Sequence, residues 1–439
     1  MRRCTAYNQH FSKKSELLLE EKLVKLKQTS GGSNLSGIAQ YNERLILQLI
    51  RRSGSLTKAE ISRLTQLSAQ TASVIINRLL DDELLYKQER RYEIGKVGQP
   101  AIPIALNPEG AYSIGVKIGR RGVDLVLINF TGVILQRINH IYDYPDPDFI
   151  FPTIKQGISD LIATLSPVQH RRLLGIGIAA PYGLGGWQQE ADIPSSITEH
   201  WNSLDIKEAV QAHQPYPVWL VNDATAACIA SLEFGNPERF NNYLHIFVGT
   251  FIGGGIIMNR TLYLGSFNNA GAIGSMPLPS SYAHTEANGS TVQLINCASR
   301  YLLNNTFEAH QLDPNLEVEL LAEDEAANNS LSRDIFQAWA QQAAAAIAYA
   351  VVASASLIDF EGVIIDGLLP PRLTKHLTDT VQTEMEKLDI EGLILPKLSA
   401  GTIGNDARAL GGAFLPFYTN FAPDRSILIS SEDNIFQAF

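Results

Sequence analysis

At 439 residues, with 45% hydrophobic and 18% charged side chains, the chain carries enough apolar material for about two or three domains with sizeable cores, and a multidomain soluble protein is expected. No positively charged start runs into an apolar stretch, and Cys4, Cys228 and Cys297 stand far apart without CxxC spacing, so neither a disulfide framework nor a zinc site is suggested and a cytoplasmic protein is expected. The formal net charge of −10 hides an asymmetry: residues 1–105 hold 17 Lys and Arg against 10 Asp and Glu, the remainder 18 against 35, so only a basic head is expected to meet a polyanion.

Residues 1–37 combine the Leu-rich amphipathic piece "SELLLEEKLVKLK" with "TSGGSNLSG", an N-terminal extension and flexible linker. From residue 38 the pattern turns helical. "NERLILQLIRRSG" sets Leu45, Ile46, Leu49 and Ile50 on one stripe and stops at Gly54, a C-cap residue. "TKAEISRLTQ" opens with Thr57 and Glu60 in capping-box spacing. The tight turn "QLS" then leads into "AQTASVIINRLLDDELL", a third helix with Val74, Ile75, Leu79 and Leu80 as its apolar face and Gln70, Ser73 and Asn77 on the other side.

This succession is a helix-turn-helix, whose last helix lies in the major groove. Gln70 and Asn77 can pair with adenine edges and Arg78 can reach guanine or phosphate, with Ser68 and Thr71 at the start of the same helix. A solvated face on a small helical bundle is the alternative. "LLYKQERRYEIGKVGQPAIPIALN" adds two short strands around a basic turn. With Lys87, Arg90, Arg91, Lys96 and Gln99 it reads as a wing placed for phosphate or the minor groove. A winged helix-turn-helix over residues 38–105 accounts for the positive charge, and double-stranded DNA is its expected partner.

From residue 111 strands and helices alternate. "AYSIGVKIGRRGVDLVLINFTGVIL" reads as two strands about a Gly-Arg-Arg-Gly turn, "LLGIGIAAP" as a strand, and "PVWLVNDATAACIASLEFG" as a strand feeding a helix. "YLHIFVGTFIGGGIIM" and the late "GVIIDGLL" are strands again. The longest apolar tract, "AWAQQAAAAIAYAVVASASLI" at 338–358, is alanine-rich with paired glutamines and reads as a packing helix, not a membrane span. Repeated strand pairs in a mixed α/β chain predict two lobes around a cleft. In "VGTFIGGGII", Gly253, Gly254 and Gly255 suit either a backbone pressed against a phosphate or a turn that needs positive φ. Asp223 suits a helix N-cap at a strand-to-helix turn.

The order of "SIGVKIGRRGVDLVLINFTG", "GIGIAAPYG", "WNSLDI", "PVWLVNDATAA", "VGTFIGGGII", "NNAGAIGSM", "GVIIDG" and "GTIGNDARALGGA" resembles the ROK family of sugar kinases and sugar-responsive repressors over residues 38–415. The resemblance implies an α/β chain in which the winged helix-turn-helix is followed by a two-lobed, actin-like (ribonuclease H-like) sugar-kinase fold. The first lobe would span 106–239, completed by about 400–424, the second 240–399, with a tail at 425–439. Kinase members bind ATP and a hexose in the cleft; their catalytic aspartate matches Asp223 and its sugar-binding neighbour matches Asn222.

The nucleotide motifs depart from that pattern. Lys117 stands in the aspartate slot of the first glycine turn, Arg120 and Arg121 replace small residues there, Phe251 interrupts the Gly-Thr-Gly at Gly249, and Asp366, Gly367 and Leu368 stand where kinases keep three glycines. A cation in place of a carboxylate removes a magnesium partner, and bulky side chains fill phosphate space. No kinase activity and no cofactor are expected, and Asp223 becomes a vestigial base. On the sugar side Ala272 and Ser275 replace Glu and His, Ile295 replaces another Glu, and the family's zinc motif is reduced to His284 and Cys297, so no metal is expected. Tyr182 occupies a glycine position and Ser196 aligns with a sugar-binding Asn.

Tyr182, Ser196, Asn222, Asp223, Asn268, Asn269 and Ser275 remain as candidate ligands of a sugar, polyol or sugar phosphate, although Asn268 and Asn269 suit turn positions equally. The expected function is a transcription regulator, a repressor of carbohydrate genes. Its paired heads, in a homodimer or homotetramer, would bind a pseudo-palindromic operator, and its body would sense a carbohydrate through lobe closure. An active sugar kinase with a DNA-binding head and a regulator controlled by a protein partner are the alternatives. Lys117, Arg120 and Arg121 also raise a cationic cleft for a phosphorylated sugar, against two arginines merely exposed on a hairpin turn.

Overall fold

Helix α1 (Leu35–Ser53) opens the part of the chain described by the computed structural model, which covers residues 35–89, 102–181, 194–282, 290–323 and 330–423. Two compact units result: residues 1–110 with 418–439, and residues 111–417. In the first unit α1 buries Ile46, Leu47 and Ile50 and stops at Gly54, whose φ of 75° lies in the left-handed region. Strand β1 (Ser55–Leu56) leads to α2 (Lys58–Thr65). Both halves of the capping box form: the Glu60 amide donates to Thr57 Oγ1 at 3.2 Å, and the Thr57 amide to Glu60 Oε2 at 2.8 Å.

Gln66, at φ 58°, ends α2, and Ser68 caps α3 (Ala69–Asp81) by accepting the Thr71 amide. Strands β2 (Leu85–Lys87) and β3 (Ile104–Leu106) pair antiparallel, and β1 joins the other edge of β3. Arg44 donates to the Ala422 carbonyl at 3.2 Å within this unit.

The apolar face of α3 differs from the expected one. Ala72, Ile75, Ile76 and Leu79 are buried, whereas Val74 is 64% exposed. Small Ala72 begins the buried stripe at i, i+3, i+4 and i+7, which turns Val74 to the side that carries Gln70 and Asn77.

The second unit contains β4 (Tyr112–Ile118), β5 (Gly122–Asn129), β6 (Ile134–Ile141), α4 (Pro147–Ala163), β7 (Leu173–Ala180), β8 (Val218–Asn222) and α5 (Asp223–Phe234). It continues through β9 (Tyr243–Val248), β10 (Ile252–Met258), β11 (Thr261–Tyr263), β12 (Pro277–Pro279) and β13 (Thr291–Gln293). After these come α6 (Ser330–Ala355), β14 (Gly362–Gly367), α7 (Pro371–Met385), β15 (Lys397–Ala400) and α8 (Ala407–Phe421), of which residues 407–417 belong to this unit.

Two five-stranded sheets share one plan. In the order β6-β5-β4-β7-β8 the first three strands are antiparallel and β4, β7 and β8 run parallel; β11-β10-β9-β14-β15 repeats the pattern. One core packs Ile114, Val116 and Ile178 against Ile150, Ile154 and Ile158 of α4. The other packs Leu244, Ile246 and Val363 against the alanine-rich α6 and against Leu377 and Val381 of α7. Helix α6 is long and apolar enough to cross a membrane, yet 67% of its most apolar window is buried in this core.

The three glycines of β10 do not form a turn, and Gly253 and Gly254 line a cavity. All three pair in register with Phe247, Ile246 and His245 of β9, and none has positive φ. A Cβ on Gly253 would lie 2.8 Å from Ala224 Cβ, and one on Gly255 2.7 Å from both Cβ and Sγ of Cys228. The glycines therefore let α5 lie directly on the strand. Where α8 crosses α5, Gly411 meets the Ala226 carbonyl, so these two helices touch backbone to backbone.

Gly255→Ala forces a methyl into that contact and is expected to destabilise the protein by about 1–3 kcal/mol, read as a lower urea midpoint at unchanged slope. An unshifted midpoint would show that α5 does not need this approach.

Candidate functional site

A cavity of about 510 Å³ opens between the two sheets of the second unit. Its walls come from the β4–β5 hairpin, the β8–α5 junction, residues 250–254 and 268–275, and Arg408 on α8. At the junction Asn222, not Asp223, is the N-cap: its Oδ1 accepts the Ala224 amide at 3.0 Å. Asp223 is the first helical residue, which turns its carboxylate into the cavity toward Arg408 Nη1 at 3.4 Å. The close α5–α8 crossing delivers this guanidinium. A carboxylate facing it must share its oxygens between that cation and any ligand hydroxyl.

Lys117 reaches the same space from β4, its ammonium folded under the hairpin, where a Cβ on Gly119 would lie 2.6 Å from Nζ. Burial, and then the nearby positive Arg408, pull its pKa down to about 8, against the attraction of Asp124 and Asp223. Asp124 is already engaged: Arg137 Nε donates to its Oδ1 at 2.9 Å, and Arg137 also pairs with Asp406 at 2.8 Å.

The two hairpin arginines part company. Arg120 lays its guanidinium 3.1 Å from the centroid of the Phe251 ring, which in turn sits 4.9 Å from the Tyr301 ring. Phe251 thus joins the second sheet's β9–β10 turn to the first sheet's hairpin. Arg121 is exposed and donates to the Asp143 carbonyl at 2.9 Å, so the expectation of two exposed arginines holds for it alone.

Asp366 and Gly367 do not line this cavity, although the adjacent Leu368 does. Asp366 is 3% exposed and accepts the Gly367 and Gly404 amides at 2.8 and 3.0 Å, and burial pushes its carboxyl up. It fastens the 401–404 loop beside a second, smaller hollow of about 300 Å³.

Asn268, Asn269 and Ser275 line the main cavity. Asn268 has φ 54°, so it serves as a turn residue as well as a lining one. Ser196 is exposed on the helix Ser195–Ser203 and does not line the cavity. Tyr182, His284, Arg90, Arg91, Lys96 and Gln99 lie outside the described residues. Among the described residues no cluster of three His, Cys, Asp or Glu side chains could hold a metal.

In the first unit the exposed side of α3 presents Gln70, Thr71, Val74, Asn77 and Arg78. Lys58 Nζ donates to Asn77 Oδ1 at 2.7 Å and to Ser73 Oγ at 3.1 Å, Ser68 and Thr71 share a hydrogen bond at 2.8 Å, and Arg78 pairs with Glu43 on α1. Lys58 and Arg408 are the side chains that sequence reasoning passed over. Both lie in quoted motifs, but only the fold brings them to their partners.

Because the pKa of Lys117 falls from 10.5 to about 8 on folding, the unfolded chain holds the proton more tightly. The resulting penalty is complete below pH 8 and fades as pH rises toward 10.5. Between pH 7 and 10, wild type is expected to gain on the order of 2 kcal/mol relative to Lys117→Met. Urea unfolding across that range measures it, and a pH-independent difference would contradict the assignment. Arg408, Arg137, Asp124 and Asp223 are the charges around the group.

The ROK family profile matches residues 113–416 and the MarR family profile residues 40–92. The xylose repressor of Bacillus spizizenii is 27% identical over 241 residues, 55% of this chain and 61% of that protein. NagC of Escherichia coli K12, a DNA-binding transcriptional dual regulator, is 22% identical over 254 residues, 56% of this chain and 60% of its own. The chain thus matches about three-fifths of the length of these regulators.

An uncharacterised protein of Sinorhizobium fredii is 24% identical over 384 residues, 87% of this chain and 91% of its own. Among solved structures, a ROK family transcriptional regulator described as a homologue of E. coli MLC aligns with a TM-score of 0.60 at 18% identity, over 88% of this chain and 98% of its own. A ROK glucokinase from Streptomyces griseus, in complex with glucose and AMPPNP, aligns at 0.54 and 20% over 70% of this chain and 99% of its own. These likenesses show the fold: a winged helix-turn-helix followed by the actin-like sugar-kinase architecture. With its profile matched over more than two-thirds of the sequence, the chain belongs to the ROK family.

Proposed function

We propose that this chain is a DNA-binding transcription regulator, a repressor of carbohydrate genes acting in the cytoplasm, whose kinase-like cleft senses a carbohydrate and no longer transfers phosphate. The observation that carries the reading is the exposed face of α3 in a capped helix-turn-helix. Gln70 and Asn77 offer amides suited to adenine, Val74 an apolar contact for a thymine methyl, and Lys58 and Arg78 cations for phosphate. The names of the xylose repressor and of NagC support the same class of function.

Lys117, Arg120 and Phe251 line the cleft, with Arg120 stacked on Phe251; by the resemblance to ROK kinases, Lys117 stands in the slot of a magnesium-organising carboxylate and Phe251 within a nucleotide glycine motif. That exchange supports the reading of a cleft without catalysis. Asn222, Asp223, Asn268, Asn269 and Ser275 retain hydrogen-bonding capacity for hydroxyl groups. A ligand that binds the closed lobes more tightly than the open ones shifts their balance, and a homodimer or homotetramer with paired heads would convert that shift into altered operator affinity.

Fluorescence anisotropy with DNA from the regulator's own upstream region tests the head. Gln70→Ala and Asn77→Ala are each expected to weaken binding by about 1–3 kcal/mol, while Lys58→Ala weakens it across all sequences and flattens the salt dependence. Wild-type affinity in all three variants would remove α3 as the reading helix. An active kinase is the second reading. Sugar-dependent ATP turnover that disappears in Asp223→Asn would establish it in place of the retired cleft.

A further inference from the structure

The charges in the main cavity do not balance. Lys117, Arg120, Arg121 and Arg408 line it against a single carboxylate, Asp223. Lys117 forms no hydrogen bond or ion pair among the described residues. Of the two carboxylates that attract it, Asp124 serves Arg137 and Asp223 faces Arg408. Arg408 is 8% exposed and its Nε has no hydrogen-bond partner, while Nη1 reaches Asp223 only at 3.4 Å. An ammonium and a guanidinium are thus held together, largely out of water, with donor capacity left over. Such an arrangement is costly unless an anion completes it.

We propose that the cleft takes an anionic carbohydrate, with a carboxylate or phosphoryl group lodged between Lys117 and Arg408 and its hydroxyls toward Asn222, Asn268, Asn269 and Ser275. The proposal rests on the reading of the cleft as a carbohydrate sensor and names the ligand class. A neutral sugar satisfies the amides and Ser275 but leaves Lys117 without a counter-charge. An anionic one forms charge-assisted hydrogen bonds, the stronger kind, to both cations. The cavity volume of about 510 Å³ lies within the range of about 300–1,000 Å³ typical of small-molecule sites. Lys117 belongs to the first sheet and Arg408 to α8, so one anionic group would tie together two elements that otherwise repel.

Titration calorimetry on the full chain tests this with D-glucose, D-gluconate and D-glucose 6-phosphate, with D-xylose and D-xylonate, and with inorganic phosphate alone. An anionic member is expected to bind at least tenfold tighter than its neutral parent and to weaken with added salt. Gluconate against glucose 6-phosphate separates a carboxylate from a phosphoryl requirement. In Lys117→Met and Lys117→Gln the preference should vanish while the unliganded melting temperature does not fall, since an uncompensated buried charge has been removed.

Equal affinity for neutral and anionic partners, or a preference that survives both substitutions, would overturn the anionic claim and leave the carbohydrate reading standing. Phosphate alone binding as tightly as glucose 6-phosphate would overturn the carbohydrate half of the proposal. No binding by any of the compounds would overturn the carbohydrate reading itself, and this proposal with it.

Discussion

The cleft depends on a backbone approach that only the smallest side chains allow. Gly253 and Gly255 admit Ala224 and Cys228 of α5 against β10, and Gly411 meets the Ala226 carbonyl where α8 crosses α5. These contacts fix α5 and α8 relative to the second sheet and to each other. Asn222 and Asp223 lie at the start of α5 and Arg408 near the start of α8, so the geometry of the site is inherited from the packing beneath it. Interiors this close-packed transmit displacement and do not absorb it.

The cleft on that scaffold is lined by cations and an aromatic ring as well as by Asp223. A phosphoryl-transfer site organises metal and phosphate with carboxylates and bare backbone. Here the hairpin offers Lys117 and Arg120, and the glycine turn offers Phe251. Asp223 survives, but opposite a guanidinium, where it holds charge in place and shares its oxygens. The same residue type at the same strand-to-helix junction is thereby compatible with recognition without catalysis. Motif retention alone could not have separated the two.

What the sequence disclosed and what it concealed divide along a physical line. Local signals were legible: the Thr57–Glu60 capping box and the left-handed stop at Gly54 are encoded within a few residues and appear as expected. The strand-to-helix turn at Asn222 was legible too, but not which of two adjacent polar residues would cap it, because both geometries are available until α8 brings Arg408 to Asp223 across 185 positions. The exposed side of α3 was misjudged at Val74, since a stripe begun by Ala72 is invisible to a reading weighted by side-chain size. The glycine run read as a phosphate approach or a positive-φ turn; the turn is not there, and Gly253 and Gly255 face a helix that no local signal disclosed. The pairing of Arg120 with Phe251 depends wholly on the tertiary meeting of the two sheets.

That last contact bears on how the proposed sensor could signal. A cation over an aromatic face contributes about 0.5–2 kcal/mol, more when water is excluded. Coupling between two sites in a regulator is typically about 1–3 kcal/mol. The Arg120–Phe251 stack therefore matches in size the free energy by which a ligand must distinguish an open from a closed cleft, and it spans the two sheets that would have to move. In the proposed regulator, the position would be free to set the resting balance of the lobes, and a bound ligand would act against that bias.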